Sequence, residues 1–183
     1  RSRGHSLDAG VHHLQTEAKR VNTSDLASIL RDFHREKLSM RQRHVAVARQ
    51  VSDYAFNNTY QYIIAREDTH LSWLDAAIAD LDTSAEDVPE PNVPAPGRKD
   101  AFLPLIADDS RTAGEFVARW RPRLGAVTNA RHRLMLQVIL GETLEHKRFF
   151  DQMLGGRDDL LGRRANGPGS PGTGDGVLPV RWM

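Results

Sequence analysis

The positions of proline and glycine leave two long stretches of the chain that can be helical. Residues 24–81 contain neither proline nor glycine, so no residue in this stretch would break a helix. Five of the nine prolines lie between Pro89 and Pro104, and eight of the 14 glycines lie in residues 155–176. Residues 109–154 form the second stretch with helical periodicity. Neither stretch shows the alternating pattern of a strand, so the sequence predicts an all-α protein.

Each stretch is too long for one helix of a small domain, so each is predicted to fold back on itself. The first turn is expected near Arg49, with Ser52 or Asp53 as the N-cap of the second helix. The second turn is expected at residues 125–129, and Pro122 is expected to kink or end the third helix early. Two helical hairpins joined by a long connection form a four-helix bundle with one crossover.

This pattern predicts one bundle domain with extended ends. The first helix is expected to start at Ser24 or Asp25, and a short amphipathic helix outside the bundle is expected before it. A tail rich in glycine and proline cannot bury a core. The predicted parts are an N-terminal extension (1–23), a four-helix bundle (24–154) that contains a proline-rich crossover (83–107), and a flexible tail (155–183).

Composition excludes several classes of site. The chain of 183 residues has no cysteine, which excludes disulfides, thiolate metal sites and cysteine nucleophiles. The formal net charge is only +1, so the whole protein does not steer charged partners. No apolar run approaches the roughly 18 residues that span a bilayer. We therefore expect a soluble, cytoplasmic protein with no membrane span.

Two polar residues interrupt the apolar stripe of the predicted second helix. Glu67 and His70 lie between Ile63 and Leu74 on that stripe, and their i, i+3 spacing places them side by side. An unpaired ionised carboxylate in a bundle core costs several kcal/mol or more, so it must be neutralised, paired or bound to a cation. The pair is therefore a candidate site in the bundle interior.

The predicted fourth helix carries a second polar interruption, at Glu142, Glu145 and His146. Glu142 and Glu145 are spaced i, i+3, whereas Glu142 and His146 are spaced i, i+4. Either pair can point inward, but all three residues cannot bind one metal equally well. Both alternatives therefore stay open for this half of the site.

The first and third helices add further candidate carboxylates. Glu36 lies about as far before the first turn as Glu67 lies after it, so the hairpin would bring them level. Glu115 is the glutamate available on the third helix, and Asp109 competes with it if the second turn closes at Gly125. One Glu beside a Glu-x-x-His motif is half of a di-iron or di-manganese carboxylate site.

Carboxylate oxygen and imidazole nitrogen suit iron or manganese, and such a site leaves open coordination positions for oxygen chemistry. Tyr60, two helical turns from Glu67, is a candidate redox side chain. The residues expected to carry the chemistry are Glu67, Glu142 and Tyr60.

The segment from Glu67 to Leu74 resembles the Glu-x-x-His-x-x-Trp-Leu segment of bacterioferritin and rubrerythrin-type proteins in the ferritin-like superfamily. The segment from Glu142 to Phe150 is similar to the second such segment, although its Glu-to-His spacing differs. The resemblance covers about residues 24–154. It implies that each chain binds two iron ions, with manganese as a possible replacement, and oxidises Fe(II) with dioxygen or peroxide. It implies a homo-oligomer with six metal ligands: Glu36 and Glu115 as terminal ligands, Glu67 and Glu142 as bridging carboxylates, and His70 and His146 as the imidazoles.

Two other functions remain open from the sequence. The interior acids could instead pair with Arg35, Arg66 or Arg148, which would give a metal-free bundle that acts as an adaptor or assembly subunit. The first helix also carries basic residues that suit nucleic acid or an acidic partner. The apolar end of the tail, Val177–Met183, could dock into a larger assembly. The basic residues are Arg31, Arg35, Lys37, Arg41, Arg43, His44 and Arg49.

Overall fold

The computed structural model describes residues 8–93 and 102–161, with side chains described from Asp25 onward. All regular structure in these residues is helical, and they contain no strand. This confirms the predicted all-α class with four helices. The helices are α1 (Asp8–Ala48), α2 (Tyr54–Ala79), α3 (Leu103–Trp120) and α4 (Ala130–Leu154), and a short 3-10 helix (Arg121–Ala126) follows α3.

Side-chain caps fix the starts of α2 and α4. The Asp53 carboxylate accepts a hydrogen bond from the backbone N–H of Phe56 at 2.9 Å, and Asn129 accepts one from the N–H of His132 at 3.1 Å. Each cap satisfies an N–H group that has no partner within its own helix. The predicted N-cap at Asp53 and the predicted second turn are therefore confirmed.

Two helices begin earlier than the sequence pattern predicted. α1 starts at Asp8 rather than near Ser24, because the Asn-Thr-Ser sequence before Asp25 resembles a cap but contains no residue that stops a helix. α3 starts at Leu103, with Pro104 in its first turn, where proline needs no N–H partner. α3 ends at Trp120, just before Pro122, as expected.

The four helices pack as a ring of antiparallel neighbours. α1 contacts α2 and α3, and α4 contacts the same two helices. One apolar cluster, centred on Phe33, Phe116 and Trp120, fills one end of the bundle. A second cluster, which includes Tyr60 and Phe150, fills the other end. The polar residues of the interior lie between these two clusters.

After α2 the chain turns back along α1 in an extended segment, Thr83–Val93. Asp82 has a φ of 55°, and this left-handed residue reverses the chain direction. The side-chain amide of Gln42 donates to the Val88 carbonyl at 2.9 Å, and that of Gln50 donates to the Val93 carbonyl at 3.2 Å. The segment therefore runs in the same direction as α1, toward the end where α3 begins.

None of the described helices is long and apolar enough to cross a membrane. The predicted tail beyond Leu161 and the first seven residues of the predicted N-terminal extension lie outside the described residues. So do residues 94–101 of the predicted crossover.

Candidate functional site

A fully buried ion pair between Lys37 of α1 and Glu67 of α2 lies at the centre of the bundle. The Lys37 ammonium donates to one oxygen of Glu67 at 2.7 Å and lies 3.4 Å from the Thr143 hydroxyl. The other Glu67 oxygen accepts from Nδ1 of His44 at 2.8 Å. Both oxygens of the interior carboxylate are therefore paired with side chains of α1.

The sequence of α1 explains why a lysine is buried here. Lys37 and His44 alternate with Phe33, Met40 and Val47, at steps of three and four residues. These five residues share one face of the helix, and all five are buried. The Lys37 ammonium also lies 5.9 Å from the centre of the Phe116 ring, where a cation is attracted to the aromatic face.

Opposite charges decide the protonation of this ion pair. Burial alone would raise the pKa of Glu67, but His44 and Lys37 together hold it well below its usual range. Burial would lower the pKa of His44, but attraction and a hydrogen bond to Glu67 outweigh it and raise that pKa. Glu67 is therefore an anion at neutral pH, balanced by the Lys37 cation.

Two neutral imidazoles, from α2 and α4, lie beside the ion pair. The rings of His70 and His146 are stacked with centroids 6.1 Å apart. Burial and the positive charge of Lys37 lower the pKa of His70 to about 4 and that of His146 to about 2. Each ring has a buried Nδ1 with no hydrogen-bond partner among the described residues.

Glu142 joins this group from the edge of the bundle. It lies 2.9 Å from Nε2 of His70, and the guanidinium of Arg66 donates to both of its oxygens, each at 2.7 Å. Because His70 is neutral, its Nε2–H is the donor. The pairing of Glu142 with Arg66 is one that the metal-free alternative predicted.

Tyr60 and Asp109 form a separate buried pair next to His44. The Tyr60 hydroxyl donates to Asp109 at 2.6 Å, and Arg43 donates to the other oxygen of Asp109 at 2.6 Å. Burial and the Asp109 charge raise the pKa of Tyr60 far above its usual value. Tyr60 is thus a protonated hydrogen-bond donor.

The structure brings together four of the seven predicted metal ligands and places the other three elsewhere. Glu67, His70, Glu142 and His146 meet at the centre. Each of the other three carboxylates forms an ion pair with an arginine at the outside of the bundle. These pairs are Glu36 with Arg119 at 2.7 Å, Glu115 with Arg111 at 2.7 Å and Glu145 with Arg148 at 2.8 Å.

This arrangement does not fit two metal ions. In the part of the chain that the structure describes, no group of three or more His, Asp or Glu side chains is placed to hold a metal ion. The Lys37 ammonium already forms an ion pair with the carboxylate of Glu67, which was the predicted bridging ligand. A metal ion would be repelled by this ammonium, by roughly 4 kcal/mol per unit charge at 4 Å with an effective dielectric constant of 20.

The sequence interpretation did not identify Lys37 and His44 as interior residues, although their spacing along α1 indicates it. Both lie on the same three-four spacing that identified Glu67 and His70. The sequence interpretation assigned them to a basic surface on charge alone. Most of that basic surface is occupied within the chain: Arg35 pairs with Asp32, Arg41 with Asp68 and Arg43 with Asp108 and Asp109.

The fold and this site define a four-helix protein with a lysine–glutamate ion pair and two neutral histidines in its interior. No protein-family model matches the chain, and no curated protein is significantly similar to it.

Proposed function

We propose that this chain is a metal-independent four-helix subunit that acts through its outer surface, as an adaptor or as part of an assembly. The Lys37–Glu67 ion pair carries the proposal, because the chain's own ammonium provides the cation that a buried carboxylate needs. His44 pairs with the remaining oxygen of Glu67. The interior acid is therefore balanced without an added ion.

The interior polar groups suit a structural role that fixes how the helices align. Lys37 on α1 donates a hydrogen bond to Glu67 on α2 and lies near the hydroxyl of Thr143 on α4. Tyr60 on α2 donates a hydrogen bond to Asp109 on α3. A shift of one helix by a turn would leave these charges unpaired, at a cost of several kcal/mol. Buried polar pairs can in this way specify one packing arrangement among several apolar ones.

The proposed arrangement of the bundle is the ferritin-like one, with one long crossover between two hairpins. The path of residues 83–93 along α1 and the antiparallel contacts of α1 with α3 support it. In this proposal the resemblance at Glu67 and His70 extends to the fold and not to the iron chemistry.

Metal analysis of the full chain tests the proposed function. We expect protein purified without added metal to contain no stoichiometric iron or manganese, and aerobic addition of Fe(II) to leave none bound after desalting. The iron-binding prediction requires the opposite result: about two irons per chain, lost in Glu67→Ala. That result would overturn the proposal.

The Tyr60 side chain offers a second readout of the same question. We expect no ferroxidase activity above that of free Fe(II) in either the unaltered chain or Tyr60→Phe. Activity that depends on Tyr60 and Glu142 would instead support the di-iron prediction.

A further inference from the structure

The outer face of α4 carries five residues that the bundle core does not use. They follow each other at steps of three, four, three and four residues, the spacing of the contact positions of a coiled coil. At 100° per residue they lie within an arc of about 80° on the helix. We call this set the α4 stripe: Arg131, Leu134, Val138, Gly141 and Glu145.

The α4 stripe is exposed and partly apolar. Leu134 is 62% exposed and Val138 is 42% exposed. Gly141 lies at the surface, and a Cβ added to it would meet nothing within 4 Å. A glycine inside a helix costs about 1 kcal/mol relative to alanine, and no described neighbour needs the space that it leaves.

The same five residues are complementary to themselves when two copies of α4 run antiparallel. Val138 lies at the centre, so it would meet Val138 of the second copy. Leu134, four residues before the centre, would lie over Gly141, three residues after it. Arg131 and Glu145, seven residues on either side, would form an ion pair. A two-fold axis makes each of these contacts twice, except the central one.

The charged ends of the stripe are available for such pairing. Arg131 is 84% exposed and lies 4.0 Å from Asp80, and Glu145 is 48% exposed and pairs with Arg148 on its own helix. Exposed pairs of this kind contribute about 0–1 kcal/mol, so either residue can exchange its partner at little cost.

An exposed aromatic residue of α2 borders the stripe. His70 on α2 contacts Glu142 on α4, and α2 and α4 run antiparallel. Trp73, one turn after His70, therefore lies at the level of Val138, one turn before Glu142. Trp73 is one of the large apolar residues left partly exposed. It would extend the apolar area around the two-fold axis.

We infer that the chain forms a homodimer through the α4 stripe, with Leu134 of each copy seated over Gly141 of the other. The proposed function requires a partner at the outer surface, and we infer that a second copy of the chain is that partner at the α4 stripe. The inference rests on the proposed function only because it identifies this partner.

Sedimentation equilibrium of the full chain over a wide concentration range tests the inference. We expect a reversible monomer–dimer equilibrium. Gly141→Leu should raise the dimer dissociation constant at least about tenfold, because the new side chain fills the space for Leu134. Gly125→Leu is the matched control, since a Cβ on Gly125 also meets nothing within 4 Å. It should leave the dissociation constant unchanged.

A charge exchange tests the antiparallel register. Arg131→Glu and Glu145→Arg should each weaken the dimer, and the double variant should restore it, because the ion pair re-forms with reversed polarity. Arg111→Glu, an exposed charge reversal on α3, should have no effect.

A monomer at every concentration would overturn the inference, and so would a dimer that neither Gly141→Leu nor Arg131→Glu weakens. A circular dichroism spectrum with unchanged helix content shows that each variant folds. These results are independent of the metal analysis: a monomer without metal would overturn the dimer alone, and a dimer that binds iron would overturn the proposed function alone.

Discussion

The Lys37–Glu67 ion pair has different expected effects when one or both of its members are removed. Lys37→Met leaves the buried Glu67 carboxylate without its cation, and we expect it to lower the free energy of unfolding by about 3–5 kcal/mol. Adding Glu67→Met to that variant removes the stranded charge as well. We expect the double variant to recover much of the loss, as measured by urea unfolding at pH 7.

Lys147→Met is the matched control for this experiment. Lys147 is partly exposed and pairs with Asp151 on the same helix, so its removal should cost less than about 1 kcal/mol. A double variant no more stable than Lys37→Met alone would contradict the structural role of the pair.

The Tyr60 hydroxyl makes the second prediction at this scale. Tyr60→Phe keeps the ring among its aromatic neighbours His44 and Phe150 but removes the hydrogen bond to Asp109. The buried Asp109 carboxylate then keeps its hydrogen bond from Arg43 but loses the one from the tyrosine. We expect the free energy of unfolding to fall by about 1–3 kcal/mol. Tyr62→Phe, at a half-exposed position, should change it by less than half a kcal/mol, roughly the range of surface substitutions.

At the scale of the elements, the extended segment Thr83–Val93 is held to α1 by glutamine side chains. Gln42→Ala removes the hydrogen bond to the Val88 carbonyl, which is worth about 0.5–1.5 kcal/mol. We expect faster proteolysis and faster amide exchange confined to residues 83–93, with the helices unaffected. Slower cleavage, or exchange that rises equally throughout α1, would contradict this account of how the segment is held.

The limits of helix prediction from this sequence also belong to this scale. The α2 stripe through Ile63, Glu67, His70 and Leu74 was predicted correctly because the opposite face of the helix carries only small or polar side chains. On α4 the sequence pattern fits Val138 or Ile139, and Glu145 or His146, equally well as inward positions. The structure buries Ile139 and His146. The buried residues of α4 are His132, Leu136, Ile139, Leu140, Thr143, His146, Phe150 and Met153.

The choice between the two faces of α4 could not be made from the sequence, and the reason is physical. Leu134 and Val138 repeat at helical spacing just as Leu136 and Ile139 do, so periodicity alone cannot show which face meets the core. The structure places His146 rather than Glu145 inward, and it also buries Thr143, which the pattern did not indicate. On α1, the charge of Lys37 concealed its place on the apolar stripe. A buried lysine is rare, and its charge partner Glu67 lies on the neighbouring helix, so the pattern of α1 alone does not reveal it.

At the scale of the whole molecule, the charged and titratable groups of all four helices meet in the interior. Each helix that faces His70 and His146 contributes at least one charged or titratable group. The groups are Lys37 and His44 on α1, Glu67 on α2, Asp109 on α3 and Glu142 on α4. Protonation of the two histidines would bury new charge and would place it beside Lys37, so the folded state resists it.

This resistance predicts unfolding in mild acid. The pKa values of His70 and His146 are about 4 and about 2 in the folded chain, against about 6.5 in an unfolded chain. Between pH 6 and pH 4 these two residues therefore bind up to two more protons in the unfolded state than in the folded state. The free energy of unfolding should fall by as much as about 3 kcal/mol per pH unit in that range.

The other groups with a shifted pKa act in different pH ranges. His132 also has a pKa lowered by burial and then by the nearby Arg131 charge, so it adds to the loss of stability in the same window. Glu67 has a lowered pKa, so its contribution is present above about pH 4.5 and is lost only in stronger acid. His44 has a raised pKa, so its contribution is present below about pH 6.5 and is lost as the pH rises above that. The loss between pH 6 and about pH 4.5 therefore comes from the histidines with a lowered pKa: His70 and His146, with an added part from His132.

Urea unfolding at a series of pH values measures this slope, and His146→Leu separates the two histidines. The variant removes one excess proton, so we expect its slope between pH 6 and pH 4 to be shallower than that of the unaltered chain by about 1.4 kcal/mol per pH unit. Above pH 7 both proteins should show the same pH dependence, which serves as the internal control. Equal slopes below pH 6 would show that His146 takes up its proton in the folded bundle as readily as in the unfolded chain. That result would contradict the lowered pKa that burial and the Lys37 charge give His146.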